Sequence, residues 1–343
     1  MVKGWGYGHG MTRTAAAAVD GGASWLGVAL VSEAVELRSQ LAEPIIVLAE
    51  PPLRQLVDVA RLDDVRPTLY TAEAIQAAAK AVRDVGRADP MPVHLKVDTG
   101  MHRVGGAPEA MTRLAGLVAS SEELVLEGLC THLAVSEDPD NDSFTAQQIA
   151  LFEQVRDELR AAGVVPSMLH VANSGAVLAH PEANYDLVRC GIALYGLAPR
   201  ARMPEAAGLQ PAMALKARVS FVKRVRAGEG ISYGLHHRCE VPTVIATVPI
   251  GYYDGVPRRL GLAGGEVLIG GRRRRIVGAV TMDQLMVDCG DDEEVRVRDE
   301  VVLIGDQGEE TISAWEWAER LDTIAYEIVC GVSIQRVPRR YHS

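Results

Sequence analysis

The run V-H-L-K-V-D-T-G-M-H-R-V-G-G-A-P-E-A-M-T-R-L-A-G-L-V-A, residues 93–119, decides the fold. Residues 93–97 are a short apolar run interrupted by a lysine. A polar, glycine-containing loop follows, and residues 108–119 repeat apolar positions at helical spacing. The strand pattern restarts at residues 124–130, L-V-L-E-G-L-C. Strand, loop, helix and strand make one βα crossover, which is right-handed and sets its two strands parallel.

The same alternation extends outward in both directions. Strand patterns occupy residues 1–3, 25–30, 45–49, 67–70, 93–97, 124–130, 168–171 and 187–189. Helical patterns occupy residues 12–20, 32–40, 52–61, 72–85, 108–119, 144–162 and 174–179. Eight strands is the count of a (β/α)8 TIM-type barrel, whose sites lie in the loops after the strands. Only seven helices are readable, because a Pro-containing stretch follows residue 189 where an eighth would stand. Beyond residue 210 strands predominate, with a hairpin expected at Gly270-Gly271 and one amphipathic helix at 312–321. We therefore expect a barrel over residues 1–209 and a β-rich C-terminal domain over 210–343.

Composition narrows the function class. A length of 343 residues allows two domains, and 48% apolar with 23% charged residues is ordinary for a soluble globular chain. The net charge of −10 argues against a nucleic acid as main partner, and the run Arg272 to Arg275 is expected to be a solvated hairpin. The five cysteines are scattered and odd in number, so neither a disulfide framework nor a zinc site is expected, and a reducing cytoplasm fits. No stretch is apolar for long enough to span a bilayer.

Chemistry gathers after the strands. In V-K-G-W-G-Y-G-H-G (residues 2–10), Lys3 ends an apolar stub, Tyr7 follows four residues on, and a helix pattern begins just beyond. That arrangement suits a phosphorylated aldehyde held through the lysine amine. Lys96 and Arg103 flank the loop after residues 93–97, and His132 stands in C-T-H-L-A. In H-V-A-N-S-G-A, Asn173 and Ser174 can cap the next helix, a role that would by itself explain them. In V-R-C-G-I-A-L-Y-G-L, Arg189 ends an inward strand and must be paired, while Gly191 and Ile192 can offer amides to an anion. The second domain adds I-S-Y-G with Tyr233, P-I-G-Y-Y-D-G with Tyr252, V-T-M-D with Met282 and Asp283, and T-I-A-Y-E-I-V-C with Tyr326.

Taken together and in order, these motifs resemble the alanine racemases, the fold-type III pyridoxal-phosphate family, across residues 2–341. The resemblance implies a PLP-dependent racemase interconverting L-alanine and D-alanine for peptidoglycan, working as a cytoplasmic homodimer with shared active sites. It implies that Lys3 carries pyridoxal 5'-phosphate and is one base, with Tyr233 of the partner subunit as the other. It gives the phosphate to Tyr7, Ser174, Gly191, Ile192 and Tyr326, with Asn173 beside it, and gives Arg103 the ring oxygen and the substrate carboxylate. Tyr252 and Met282 would narrow the pocket around a methyl group. Lys96, carbamylated in many relatives, His170 and Asp283 would support these residues from behind.

Arg189, with His132, would favour the phenolate of Tyr233, and would also face the pyridine nitrogen. A guanidinium does not readily protonate that ring, which weakens it as an electron sink and favours racemisation over decarboxylation. The related decarboxylases place a carboxylate there.

Three departures stand out. Gly4, Trp5 and Gly6 replace the family's A-N-A, so Trp5 is expected to repack the barrel mouth. Ala279 replaces an arginine common near M-D, which keeps serine or broader specificity open. Only Met1 and Val2 precede Lys3, where relatives carry a few tens of residues, so this form is expected to be less stable and less active than one extended upstream. A pyridoxal-phosphate carrier built on a lone barrel is the non-catalytic alternative, against which the tyrosine of S-Y-G speaks.

Overall fold

In a computed structural model, which describes residues 1–342, the chain divides into two compact units. The first comprises Met1–Gly6, Met11–Leu194 and Ala198–Leu209; the second comprises Tyr7–Gly10, Tyr195–Leu197 and residues from Gln210 onward.

In the first unit, six strands pair in sequence order, all parallel: β1 (Leu26–Val28), β2 (Ile45–Val47), β3 (Val65–Leu69), β4 (Met91–Lys96), β5 (Leu124–Cys130) and β6 (Met168–His170). Helices alternate with them. Ala72–Val85 starts where the Thr71 hydroxyl accepts the Ala74 amide at 3.1 Å and stops where Gly86 turns left-handed at φ 68°. The expected helices at 12–20, 32–40, 108–119, 144–162 and 174–179 are all present within a few residues. The helix expected at 52–61 begins with a 3-10 turn, Leu53–Gln55, before Leu56–Ala60.

The ladder corrects the count of eight strands. Residues 1–3 and 187–189 are not strands, although each lends isolated backbone bonds. Val2 N donates to Gly27 O at 2.9 Å, Arg189 N to Ala172 O at 3.0 Å, and Met1 N to Cys190 O at 2.9 Å. These three bonds join β1 to the segment after β6 and close the barrel without a ladder. The reason is local: a left-handed turn begins at Gly4, and Gly191 opens a 3-10 turn, so neither segment stays extended for a second pair.

The second unit holds an antiparallel sheet in the order β16-β15-β12-β13-β14-β11-β8, with β7 on β15. Its strands are β7 (Leu215–Arg218), β8 (Phe221–Val225), β11 (Thr243–Val248), β12 (Glu266–Ile269), β13 (Arg272–Ile276), β14 (Leu285–Asp288), β15 (Glu300–Gln307) and β16 (Glu310–Ile312); β9 (Gly230–Ile231) and β10 (His237–Arg238) pair separately. The hairpin turns at Gly270-Gly271, with φ of 62° and 71° as a type I′ turn requires. Residues 215–225 form two strands with different partners, because the chain bends at Val219 and Ser220 to bond Asp299 and Thr247. A helix expected at 312–321 forms as Ala314–Leu321, and a second, Ala325–Gly331, follows without having been anticipated.

Candidate active site

Lys3 enters a left-handed turn: φ is 61° at Gly4, 55° at Trp5, 62° at Gly6 and 51° at Tyr7. Glycine adopts this conformation freely, whereas Trp5 and Tyr7 each cost roughly 1–2 kcal/mol. The turn is therefore held from outside. Glu33 Oε1 accepts the Gly4 amide at 2.6 Å, while its Oε2 accepts the amides of Ala29 at 2.9 Å and Leu30 at 3.0 Å. Within this turn the Trp5 side chain is 47% exposed.

His132, just past β5, shows which groups the barrel gathers. Burial first, then the positive charges of Arg189, Arg103, Lys96 and Lys3, push its imidazole down to about 2, so it is neutral. Arg189 is itself buried and donates widely: Nη1 to His170 Nδ1 and to His170 O, both at 2.8 Å, and Nη2 to Thr131 O at 2.6 Å and Val171 O at 2.9 Å. Nη2 also approaches His132 Nδ1 at 3.3 Å. Because a guanidinium only donates, Nδ1 of His132 is an acceptor and its proton resides on Nε2. Among the described residues, no acceptor engages Arg189 Nε.

Lys96 is buried at the end of β4, and burial, with Arg103 and Arg189 adding to it, lowers its amine below the usual range. Arg103 lies exposed in the following loop, and no described residue pairs with its guanidinium. Asn173 proves to be a cap: its Oδ1 accepts the Ala176 amide at 3.1 Å and the Ser136 hydroxyl at 2.7 Å, and its Nδ2 donates to Leu133 O. Its Oδ1 is thus engaged by the helix and by the loop after His132, while Nδ2 keeps a second hydrogen. Ser174 Oγ accepts the amides of Gly191 at 2.8 Å and Ala193 at 3.3 Å, which leaves its own hydrogen to donate. The Gly191 amide is therefore already engaged.

The remaining candidates belong to the second unit. Tyr7 stacks 5.0 Å from Tyr195 and 6.2 Å from Tyr326, and burial, then Cys330, pushes its phenol up to about 12. Tyr233 is 72% exposed. It sits in a strained stretch with φ 62° at Ser232, 76° at Gly234 and 47° at Leu235, anchored by the Ser232 hydroxyl on Ala279 O at 2.6 Å. Tyr252 N bonds Thr281 O at 2.9 Å and Tyr253 N bonds Met282 O at 3.1 Å, which sets Tyr252 beside Met282.

Two features escaped the sequence reading. Arg336 donates to Asp254 Oδ1 and Asp283 Oδ1, both at 2.9 Å, and its guanidinium lies 4.8 Å over the Tyr253 ring, fixing the turns that bear Tyr252 and Met282. Inside the barrel, His94, Glu127 and Arg66 continue the hydrogen bonds of His170. His94 was legible in principle, since it precedes Lys96 by two residues and shares its strand face.

With this geometry in view, the comparisons with known proteins agree. Residues 1–199 match the family described as alanine racemase, N-terminal domain, and residues 212–341 match alanine racemase, C-terminal domain. The chain is 47% identical over 342 residues to the alanine racemase of Symbiobacterium thermophilum, covering 99% of this chain and 89% of that one. It is 42% identical to the alanine racemase of Thermobifida fusca, covering 99% and 90%. Among solved structures, the alanine racemase of E. faecalis superposes with a TM-score of 0.90 at 39% identity, over 99% of this chain and 90% of that one. The alanine racemase of Bacillus anthracis with bound L-Ala-P gives 0.89 at 38% identity, over 97% and 85%. The chain belongs to the alanine racemase family of isomerases.

Proposed function

We propose that the chain interconverts L- and D-alanine as a homodimer using pyridoxal 5'-phosphate, with Lys3 and the Tyr233 of a second copy as its two bases. The observation that carries this reading is the buried Arg189 guanidinium 3.3 Å from the neutral imidazole of His132, a ring that also feels the positive charges of Arg103, Lys96 and Lys3. Four cations around one small site suit a ligand pair bearing a phosphate and a carboxylate.

The barrel residues fit the cofactor. Arg189 keeps Nε–H for a ring nitrogen, and Ser174 keeps its hydroxyl hydrogen for a phosphate oxygen. Pyridoxal phosphate, when bound, makes the α-hydrogen of an attached amino acid labile. Lys3 then holds or returns a proton on one face. Arg103 orients the substrate carboxylate. The low-lying amine of Lys96 is a nucleophile toward carbon dioxide, and carbamylation would give Arg103 an anionic neighbour.

On the other face, a phenol with a pKa near 10 needs its phenolate favoured before it can act as a base. His132 offers that through Nε2–H, the proton that Arg189 keeps there. A second copy is needed because Tyr233, Tyr252, Tyr253 and Met282 stand exposed together, an apolar face with aromatic anchors. No helix among the described residues is long and apolar enough to cross a membrane, which is consistent with the proposed cytoplasmic supply of D-alanine to peptidoglycan.

Tyr233→Phe tests the assignment. Exchange of α-deuterium from alanine should fall by about 10³-fold, within the usual range for removing a general base, while the yellow cofactor absorbance stays. Undiminished exchange would remove Tyr233 from the reaction. A panel of L- and D-amino acids tests the substrate, and serine exchanging as fast as alanine would overturn it.

A further inference from the structure

A column of polar side chains runs through the barrel interior behind Arg189, where such barrels normally pack branched apolar residues. His170 Nε2 meets His94 Nδ1 at 2.8 Å, and His94 Nε2 meets Glu127 Oε2 at 3.0 Å. Arg66 closes on Glu127 through Nε at 2.9 Å and Nη2 at 3.2 Å, and reaches Asp64 Oδ1 at 2.7 Å. The Trp25 ring covers the Arg66 guanidinium at 4.8 Å. His94 and His170 are wholly buried, and Gly128 makes room for them: a Cβ there would lie 2.3 Å from His94 Nδ1.

Only one proton arrangement satisfies this column. Arg189 Nη1 can only donate, so His170 Nδ1 accepts and its proton is on Nε2. That N–H must donate to His94 Nδ1, which puts the His94 proton on Nε2, aimed at the Glu127 carboxylate. Reversing either tautomer sets two donors face to face at 2.8 Å. We propose that Glu127 is a positioning residue for Arg189: it accepts the Nε2–H that this chain of donors leaves on His94, and so holds both rings, as neutral Nε2–H tautomers, behind the guanidinium. Burial, aided by nearby Arg189, keeps both imidazoles below their usual range. Against its own burial, the His94 and Arg66 contacts hold Glu127 at about 2 and therefore ionised.

The tautomer assignment stands without any cofactor; its consequence for turnover rests on the role given to Arg189 above. The test is ¹⁵N spectroscopy of the full-length holoenzyme labelled at histidine. His94 and His170 should each show a protonated Nε2 and a bare Nδ1, and a proton on Nδ1 of either overturns the proposal even if no variant folds. E127Q keeps an oxygen for His94 Nε2–H, so it should retain both tautomers and turn over within about threefold of the parent. E127L leaves the His94 Nε2–H buried without an acceptor, so both rings should shift, read as altered ¹⁵N signals of His94 and His170, and kcat should fall about tenfold at unchanged KM. If the two variants behave alike in both readouts, Glu127 is merely structural and the proposal fails. Shifted ring signals in E127L with unaltered turnover would instead sink the role of Arg189 at the ring.

Discussion

The barrel interior and the face that bears Tyr233 treat polar chemistry in opposite ways. Inside the barrel, Arg66, Glu127, His94, His170 and Arg189 are joined end to end and largely shielded from water. On the second unit, Tyr233, Tyr252 and Met282 stand in solvent, aimed by strained backbone and by Arg336 rather than by burial. In the first case position comes from dehydration, where an unpaired group is costly and few arrangements survive. In the second it comes from backbone geometry, which leaves the side chains free to meet a second copy.

Acid breaks this contrast most strongly. His94, His132 and His170 are all held below the usual histidine range when folded, so the unfolded chain binds more protons than the folded one. Stability therefore rises with pH, is complete above about pH 6.5, and drains away as the pH falls below it. Between pH 7 and 5 His132 alone should remove about 2 kcal/mol from the barrel, and His94 and His170 add losses of the same sign. Hydrogen exchange read by mass spectrometry should show β4, β5 and β6 losing protection at pH 5. Equal protection at both pH values would mean that the imidazoles are protonated or solvated in the native barrel.

Two substitutions probe the column directly. Arg66→Ala leaves the Glu127 carboxylate half-buried beside only His94, and should cost about 3 kcal/mol in urea unfolding. Gly128→Ala forces a methyl group onto the His94 ring between paired strands, and should cost about 2 kcal/mol. If Gly128→Ala is silent, the His94 ring has room to move and the column is not rigid.

Most of the scaffold could be read from the chain because its signals are local. The helix at 72–85 announces itself by Thr71 and Gly86, and the hairpin by two adjacent glycines with the φ values that the turn demands. What stayed hidden depends on pairing. Residues 1–3 and 187–189 have extended patterns, but nothing local shows that each makes only isolated bonds. Glu127 was missed because the register shifts there, Val93 facing Leu126 and His94 facing Gly128, so an extra residue turns out of the strict alternation. The motif residues were legible as chemistry, and Asn173 was legible also as the helix cap it forms. Trp5 lies in a left-handed turn, a hand that no periodicity signals.

The smallest expected effect sharpens the comparison most, because it holds the chemistry constant and changes only the solvent. Arg273 resembles Arg66 in pairing with several carboxylates: Glu310 at 2.8 Å, Glu316 at 2.9 Å and Glu266 at 3.1 Å. Arg320 shares Glu266 and Glu316, so the pairs form a network that the solvated reading of the arginine run did not anticipate. Its side chain, however, is 32% exposed against 10% for Arg66. Water already stabilises the separated charges there, so Arg273→Ala should cost under about 1 kcal/mol, and most of that should vanish in roughly 1 M salt. The loss in Arg66→Ala should persist in the same salt, because counterions do not enter the barrel. Should the two losses match and screen alike, burial is not what separates the two halves, and the rigidity assigned to the column has another source.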